Sequence, residues 1–393
     1  MKTKKIQNEI KKIEEDIVKL RHLLHQYPEI GYEEYNTAQL IAKTLKKLDL
    51  EVNDDIYATG VSGLLKGKEN NKTILLRADM DALTIQEKTD LPYASQKDGI
   101  MHACGHDVHS AIVLGAAVVL KELEEELPGN VKFVFQPAEE QEGGALGMIE
   151  NGVMKNPKVD AALGLHVWGS AKKGTVEIKY DSMMASPDRF LIKIIGEGGH
   201  AANPHQCVDP IIIATEIVQE FQNIISRKVE PTEPAVLSVC HIEGGNTHNV
   251  IPDEVIIEGT VRTLTEDVRD SIPSLMEKML TKITEIYGAE YELDYDYSFP
   301  PLVNNKEMTD LVRNSANKVM GEDKVIEINK PNLGGEDFSY FAKEVPSSYF
   351  YLGIAPSKEN VIKHHNPYFY VDDDVIADGI AILVQAVFDY FDN

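Results

Sequence analysis

The chain has 393 residues, 43% hydrophobic and 26% charged, with 64 acidic against 39 basic side chains and a formal net charge of −25. Such a surface repels nucleic acid and anionic lipid, and no basic cluster in the sequence is dense enough to override it, so neither is expected as a partner. The length exceeds one ordinary core and points to two domains.

Residues 4–26 and 33–48 read as helices, separated by Pro28 and Gly31. The first carries an apolar stripe (Ile6, Ile10, Ile13, Ile17, Leu20, Leu24) amid alternating charge, and it lacks the unbroken apolar run of a signal peptide. Nowhere does the sequence approach the roughly 20 consecutive apolar residues that cross a bilayer, so no membrane association is expected. Strands are expected over 73–77, 131–136, 161–166 and 175–180, and helices over 110–126 and 143–151. The run AIVLGAAVVL is apolar nearly all round, which predicts a buried helix. This alternation predicts an α/β fold with a mostly parallel mixed sheet flanked by helices and a site at the strand C-termini.

From about Ser186 the rhythm changes. A strand over 189–196, a helix over 209–226, strands over 235–242 and 254–262, a helix over 266–287 and a strand over 290–297 follow in turn. That β-α-β-β-α-β order predicts a ferredoxin-like α+β domain. After Phe299-Pro300-Pro301 the α/β rhythm resumes, with helices over 307–320, 337–343 and 373–389. The expected organisation is a larger α/β domain, 1–185 and 299–393, interrupted by an inserted domain, 186–298. Pro187, Pro300 and Pro301 at the junctions suit a defined hinge.

Only Cys104, Cys207 and Cys240 are present, a sparse, odd set that argues against a disulfide framework and fits a reducing compartment, the cytoplasm by default. Chemistry concentrates in MHACGHDVH, Met101 to His109, where a thiol, three imidazoles and a carboxylate precede the buried helix. A structural cysteine with chance histidines is the plainer reading; the density of the cluster favours metal. Cys104 and His106 can converge from one turn, and a helix N-terminus there is expected to lower the thiol pKa.

The stretch FVFQPAEEQEGGA delivers Glu139 and Glu140 from the end of a strand. Adjacent acids are usually a solvated pair, but here one can bind metal while the other handles a proton. His166 ends another strand, and His364 and His365 precede a proline-fixed turn, one of them a candidate last ligand. Asp79 and Asp81, two apart on an extended chain, are candidates to orient a ligand imidazole. Thiolate, imidazole and carboxylate together suit zinc, with manganese or cobalt as alternatives.

RADMDAL, MHACGHD, FQPAEE, GLHVW, GGHAANPH, NVIPDEVIIEGTVRT, GGEDFSYF and HHNPYF, in order from about residue 22 to the end, resemble one family. It is that of the dinuclear-metal amidohydrolases and peptidases related to aminoacylase, in the branch of hippurate hydrolase, N-acyl-L-amino acid amidohydrolase and the plant indoleacetyl-amino acid hydrolases. The resemblance implies a catalytic α/β domain with an inserted lid or dimerisation domain, in a homodimer or homotetramer. It implies two divalent ions held by Cys104, His106, Glu140, His166 and His365, with the Cys104 thiolate as bridge and Glu139 as general base. His102, Asp107 and His109 then fall back to supporting or helix-capping roles. His200 resembles the lid histidine that polarises the scissile carbonyl, within its own chain or across a dimer. Asn249 and Arg262 resemble residues that hold the substrate carboxylate.

The implied activity is hydrolysis of the amide bond of a small N-acyl amino acid or short peptide by a metal-activated water. Aminopeptidase-, carboxypeptidase- or endopeptidase-like activity is the alternative. A non-catalytic metal- or peptide-binding protein is disfavoured because every ligand and Glu139 are present. The chain departs from the family at Gln141-Glu142, where relatives carry glycine, at Thr84, where proline is common, and at Asn366, where a small hydroxyl residue is usual. None is a proposed ligand; they bear on substrate preference.

Overall fold

A computed structural model describes residues 2–69, 72–141, 143–357 and 359–392; Glu142, one of the departures above, lies outside them. The chain divides into two compact units, Met1–Asp181 with Val303–Lys330 and Asp337–Asn393, and Ser182–Leu302 with Pro331–Glu336.

The larger unit is built on an eight-stranded sheet. Its order is Glu51–Asn53, Val61–Leu65, Asn130–Gln136, Thr73–Asp79, Ala161–Lys172, Ser347–Ala355, Val176–Ile178 and Val325–Glu327. Four of its seven ladders are parallel and three antiparallel, the mixed, mostly parallel sheet expected from the sequence. Strands Thr73–Asp79, Asn130–Gln136 and Ser347–Ala355 are buried at every position. Continuous burial is what a sheet covered on both faces demands, and it erases the period-two signal of a half-exposed strand. Strand Ser347–Ala355 is absent from the sequence-based assignment because Ser347, Ser348 and Gly353 dilute its apolar run, whereas the equally buried Thr73–Asp79 and Asn130–Gln136 correspond to expected strands.

Helices Lys2–Gln26, His106–Glu122 and Asp374–Asp392 pack on one another, and Lys306–Met320 packs on the last of them and on strand Ser347–Ala355. Their core includes Ile6, Ile10, Ile17, Ile112, Leu120, Ile380 and Leu383. Among the described residues no helix is long and apolar enough to cross a membrane.

The smaller unit contains a four-stranded antiparallel sheet in the order Ala235–Glu243, Glu254–Thr263, Ser186–Ile195 and Glu290–Asp296. Helices Pro210–Arg227 and Glu266–Tyr287 pack together and against it, burying Ile213, Ile217, Phe221, Ile272, Met276 and Leu280 with Ile192 and Ile194. Here burial alternates, most plainly along Ser186–Ile195, as a sheet covered on one face requires.

Candidate metal centre

Strands Thr73–Asp79 and Asn130–Gln136 end level with one another, whereas their parallel neighbour Ala161–Lys172 runs on past His166, where the sequence reading ends it. Asp79 pairs with Gln136, and Arg77 pairs with Gly164, which puts His166 level with Asp79. The loops leaving this edge bring together the residues singled out in the sequence.

Helix His106–Glu122 begins four residues before the helix expected over 110–126. The reason is Gly105, which takes φ +99° ahead of it and where a Cβ would lie 2.4 Å from Val167 Cγ2, so only glycine turns the chain here. Cys104 therefore stands on the loop entering the turn, and His106 is the first helical residue. Ligand atoms of Cys104, His106 and His166 lie within 4.8 Å of one another; so do those of Cys104, Glu140 and His365, and those of His106, Glu139 and Glu140. The three groups share members, so all six residues form one continuous cluster.

Each imidazole in the cluster can be read from its hydrogen bonds. His166 Nδ1 donates to the Val167 carbonyl at 2.6 Å, which leaves the Nε2 lone pair facing Cys104 Sγ at 3.3 Å. Burial, with His109 and His364 beside it, holds His166 well below the usual histidine range, in the neutral form a metal needs. His106 Nδ1 faces Asp81 Oδ1 at 3.1 Å, and its Nε2 is buried with no hydrogen-bond partner among the described residues. Burial opposes charge on this ring, but Asp79 and Asp81 outweigh it and raise its pKa; the same negative field attracts a cation. Asp81 also accepts the Glu140 N–H at 3.0 Å through its other oxygen, so one carboxylate aligns two candidate ligands.

His109 differs. The Val167 N–H donates to its Nε2 at 2.9 Å, so Nδ1 carries the proton that Asp79 Oδ1 accepts at 2.7 Å, and no lone pair remains for an ion. His364 is likewise taken: the Gly169 N–H donates to its Nε2 at 3.0 Å, while Nδ1 lies 3.9 Å from Cys104 Sγ. Burial, His109 and His365 lower it to about 3, so it stays neutral. Of the histidine pair it is His365 whose Nε2 reaches Glu140 Oε1, at 3.0 Å. His365 and Ala138 both adopt left-handed backbone, φ +54° and +50°, at a cost of roughly 1–3 kcal/mol each, which marks the two loops as held by their surroundings.

The expected lowering of the Cys104 pKa is overturned. Burial pushes the thiol well above its usual value, and Glu140, Glu139 and Asp79 add to the shift. A divalent ion bound there would displace that proton, so metal uptake would release acid. The donor set, one soft sulfur with imidazoles and carboxylates around an orphaned His106 nitrogen, fits a divalent metal ion.

Two residues behind the cluster escaped the sequence reading. Arg77 is fully buried and donates to Asp79 Oδ2 and Asp337 Oδ1, both at 2.7 Å, and to Gln136 Oε1 at 2.9 Å. Glu34, also fully buried, accepts the Ala138 N–H. A lone arginine inside an apolar strand was the available signal for the first.

The remaining predicted residues lie in the smaller unit. His200, in the short strand Gly199–His200, pairs with Val250, and the Ala201 N–H donates to the Asn249 carbonyl at 3.1 Å, so His200 and Asn249 are neighbours. The Ala202 N–H donates to His200 Nδ1 at 3.0 Å, which leaves Nε2–H as an outward donor. Arg262 stands on strand Glu254–Thr263, opposite Val236 and Pro187.

The sequence profile of peptidase family M20/M25/M40 matches residues 75–389. The chain is 40% identical over 380 residues to thermostable carboxypeptidase 1 of Saccharolobus solfataricus, covering 95% of each chain. It is 43% identical over 309 residues to the N-acyl-L-amino acid amidohydrolase of Geobacillus stearothermophilus, covering 78% of this chain and 83% of that one. A Bacillus subtilis crystal structure described as a dinuclear metal binding peptidase from the M20 family superposes with a TM-score of 0.85 at 32% identity, covering 98% of this chain and 99% of that one. The chain belongs to peptidase family M20/M25/M40 and is a metal-dependent amidohydrolase.

Proposed function

We propose that this protein hydrolyses the amide bond of N-acyl amino acids or short peptides, with Glu139 as general base beside two divalent ions held by Cys104, His106, Glu140, His166 and His365. The observation that carries the reading is the shared membership of the three ligand groups: Cys104, His106 and Glu140 each belong to two of them, with Glu139 in the same cluster. Bound there, the ions supply a water whose pKa falls from about 15.7 towards neutrality and polarise the carbonyl. Glu139 takes the proton of that water as its oxygen attacks the carbonyl carbon, and delivers it to the nitrogen as the C–N bond breaks. His166 and His106 would each turn an Nε2 lone pair to an ion, their opposite nitrogens being engaged by the Val167 carbonyl and by Asp81; His166 is already neutral, whereas His106 would give up a proton on binding.

His200, with its Nε2–H left free to donate by the Ala202 contact, is assigned to the carbonyl oxygen, and Asn249 and Arg262 to the substrate carboxylate. An N-acyl amino acid and a peptide C-terminus present the same group, a free carboxylate one carbon from the scissile nitrogen. The relative named as an amidohydrolase supports the first substrate class and the relative named as a carboxypeptidase the second. Zinc is the assigned metal, the cytoplasm the assigned compartment, and a homodimer or homotetramer the assigned state. A panel of N-acyl amino acids and dipeptides on metal-reconstituted protein tests the reading. Glu139→Gln should lower kcat by about 10²–10⁴ with metal content intact. Near-normal turnover by that variant would remove Glu139 from the role.

A further inference from the structure

Glu34 has no part in the chemistry assigned above, yet no part of it reaches solvent. It stands just ahead of helix Tyr35–Lys47, and its two oxygens close on different segments. Oε1 accepts the Ala138 N–H at 2.8 Å, and Oε2 accepts the Thr59 hydroxyl at 2.5 Å. Ala138 directly precedes Glu139 and is itself buried, at a φ of +50° that an alanine adopts only when its surroundings impose it. The turn is also closed by Gly31, where a Cβ would come within 3.0 Å of Ala138 Cα and 3.1 Å of Gln141 Cδ.

Burying a carboxylate without a cationic partner is costly, and an apolar side chain would fill the same space without that cost. Burial, only partly offset by the Thr59 and Ala138 donors, pushes the Glu34 carboxyl up to about 7. A group retained at such expense, and aimed at the one amide that precedes the base, has its use in that contact.

We propose that Glu34 is a positioning residue for the general base: by holding the Ala138 N–H it fixes the left-handed turn, and with it the direction in which Glu139 and Glu140 leave the strand. The inference rests on Glu139 as base. A misplacement of about 1 Å in a reacting group costs on the order of 100-fold in rate.

The experiment compares Glu34→Ala, Glu34→Gln and Glu139→Gln in the full chain at saturating metal, with metal content and melting temperature recorded for each. Glu34→Ala should lower kcat by about 100-fold with little change in KM. Glu34→Gln keeps an acceptor for the Ala138 N–H and a group that can pair with the Thr59 hydroxyl, and should recover most of the rate. A folded, metal-replete Glu34→Ala protein with the parent kcat overturns the inference, while an inactive Glu139→Gln protein leaves the assignment of the base standing. Normal turnover by Glu139→Gln overturns the base itself. Should Glu34→Ala fail to fold, Thr59→Val decides: a lowered kcat at unchanged KM supports the inference, and an unchanged kcat overturns it.

Discussion

In the larger unit the buried Arg77 spans Asp79 and Asp337; in the smaller one the buried Arg269 closes on Asp188, through Nη2 at 2.7 Å and Nε at 2.9 Å. The two pairs have similar chemistry and opposite destinations. Asp79 passes its other oxygen to His109, which in turn receives the Val167 N–H, so the chain of contacts from Arg77 ends beside the candidate ligand His166. Asp188 takes the Ser298 N–H at 3.2 Å and the Tyr295 hydroxyl at 3.3 Å, so its contacts close on the strand and segment that end the unit. Buried charge orders the candidate metal centre in one place and the packing of a strand in the other.

The sharpest way to break that comparison is to remove each arginine. Arg77→Met and Arg269→Met each leave a buried carboxylate without its guanidinium, and each should cost about 3–5 kcal/mol in denaturant unfolding. Only Arg77→Met should also weaken metal binding, because only its partner reaches the imidazoles. Equal metal affinity in the two variants, by equilibrium titration, would show that the Arg77 contacts serve the fold alone.

A smaller effect is expected one step closer to the ions. Asp81 accepts from His106 through one oxygen and from the Glu140 N–H through the other, so an asparagine there must turn an NH₂ towards one of the two. Asp81→Asn should lower metal affinity by roughly 10–100-fold, whereas His200→Ala in the smaller unit should leave it unchanged. Parent-like affinity in Asp81→Asn would mean that His106 and Glu140 are aligned by packing.

What the sequence disclosed follows the same division. Helix Glu266–Tyr287 has the bounds expected for it, because a half-covered element writes its burial as periodicity. Cys104, His106, Glu139 and Glu140 were legible because unlike ligand types crowd into short stretches, whereas the ligand role of the lone His166 and the choice of His365 over His364 came from the family resemblance. The contacts that align them were not, because they join residues distant in the chain: Arg77 with Asp337, Glu34 with Ala138. Glu34 was further hidden by the helix expected over 33–48, in which it reads as a first-turn surface acid. The helix starts at Tyr35, and the acid is turned inward instead.

Glu34 also offers the finest contrast with Asp188. Asp188 meets a guanidinium, whereas Glu34 meets a hydroxyl and an amide, which leaves its burial only partly compensated. Burial and the nearby Asp81 raise its pKa, the Thr59 and Ala138 donors work against them, and the result is about 7, above an ordinary glutamate value near ~4.3. With the folded pKa the higher of the two, the folded protein binds more protons at this position between about pH 4.3 and about pH 7. The stability this group contributes is therefore complete below that window and is lost as pH rises through it. Glu34→Gln cannot titrate, so its melting temperature should fall less than that of the parent between about pH 5 and about pH 8. Parallel profiles for the two proteins would mean that the Thr59 and Ala138 donors suffice to hold the Glu34 carboxylate charged.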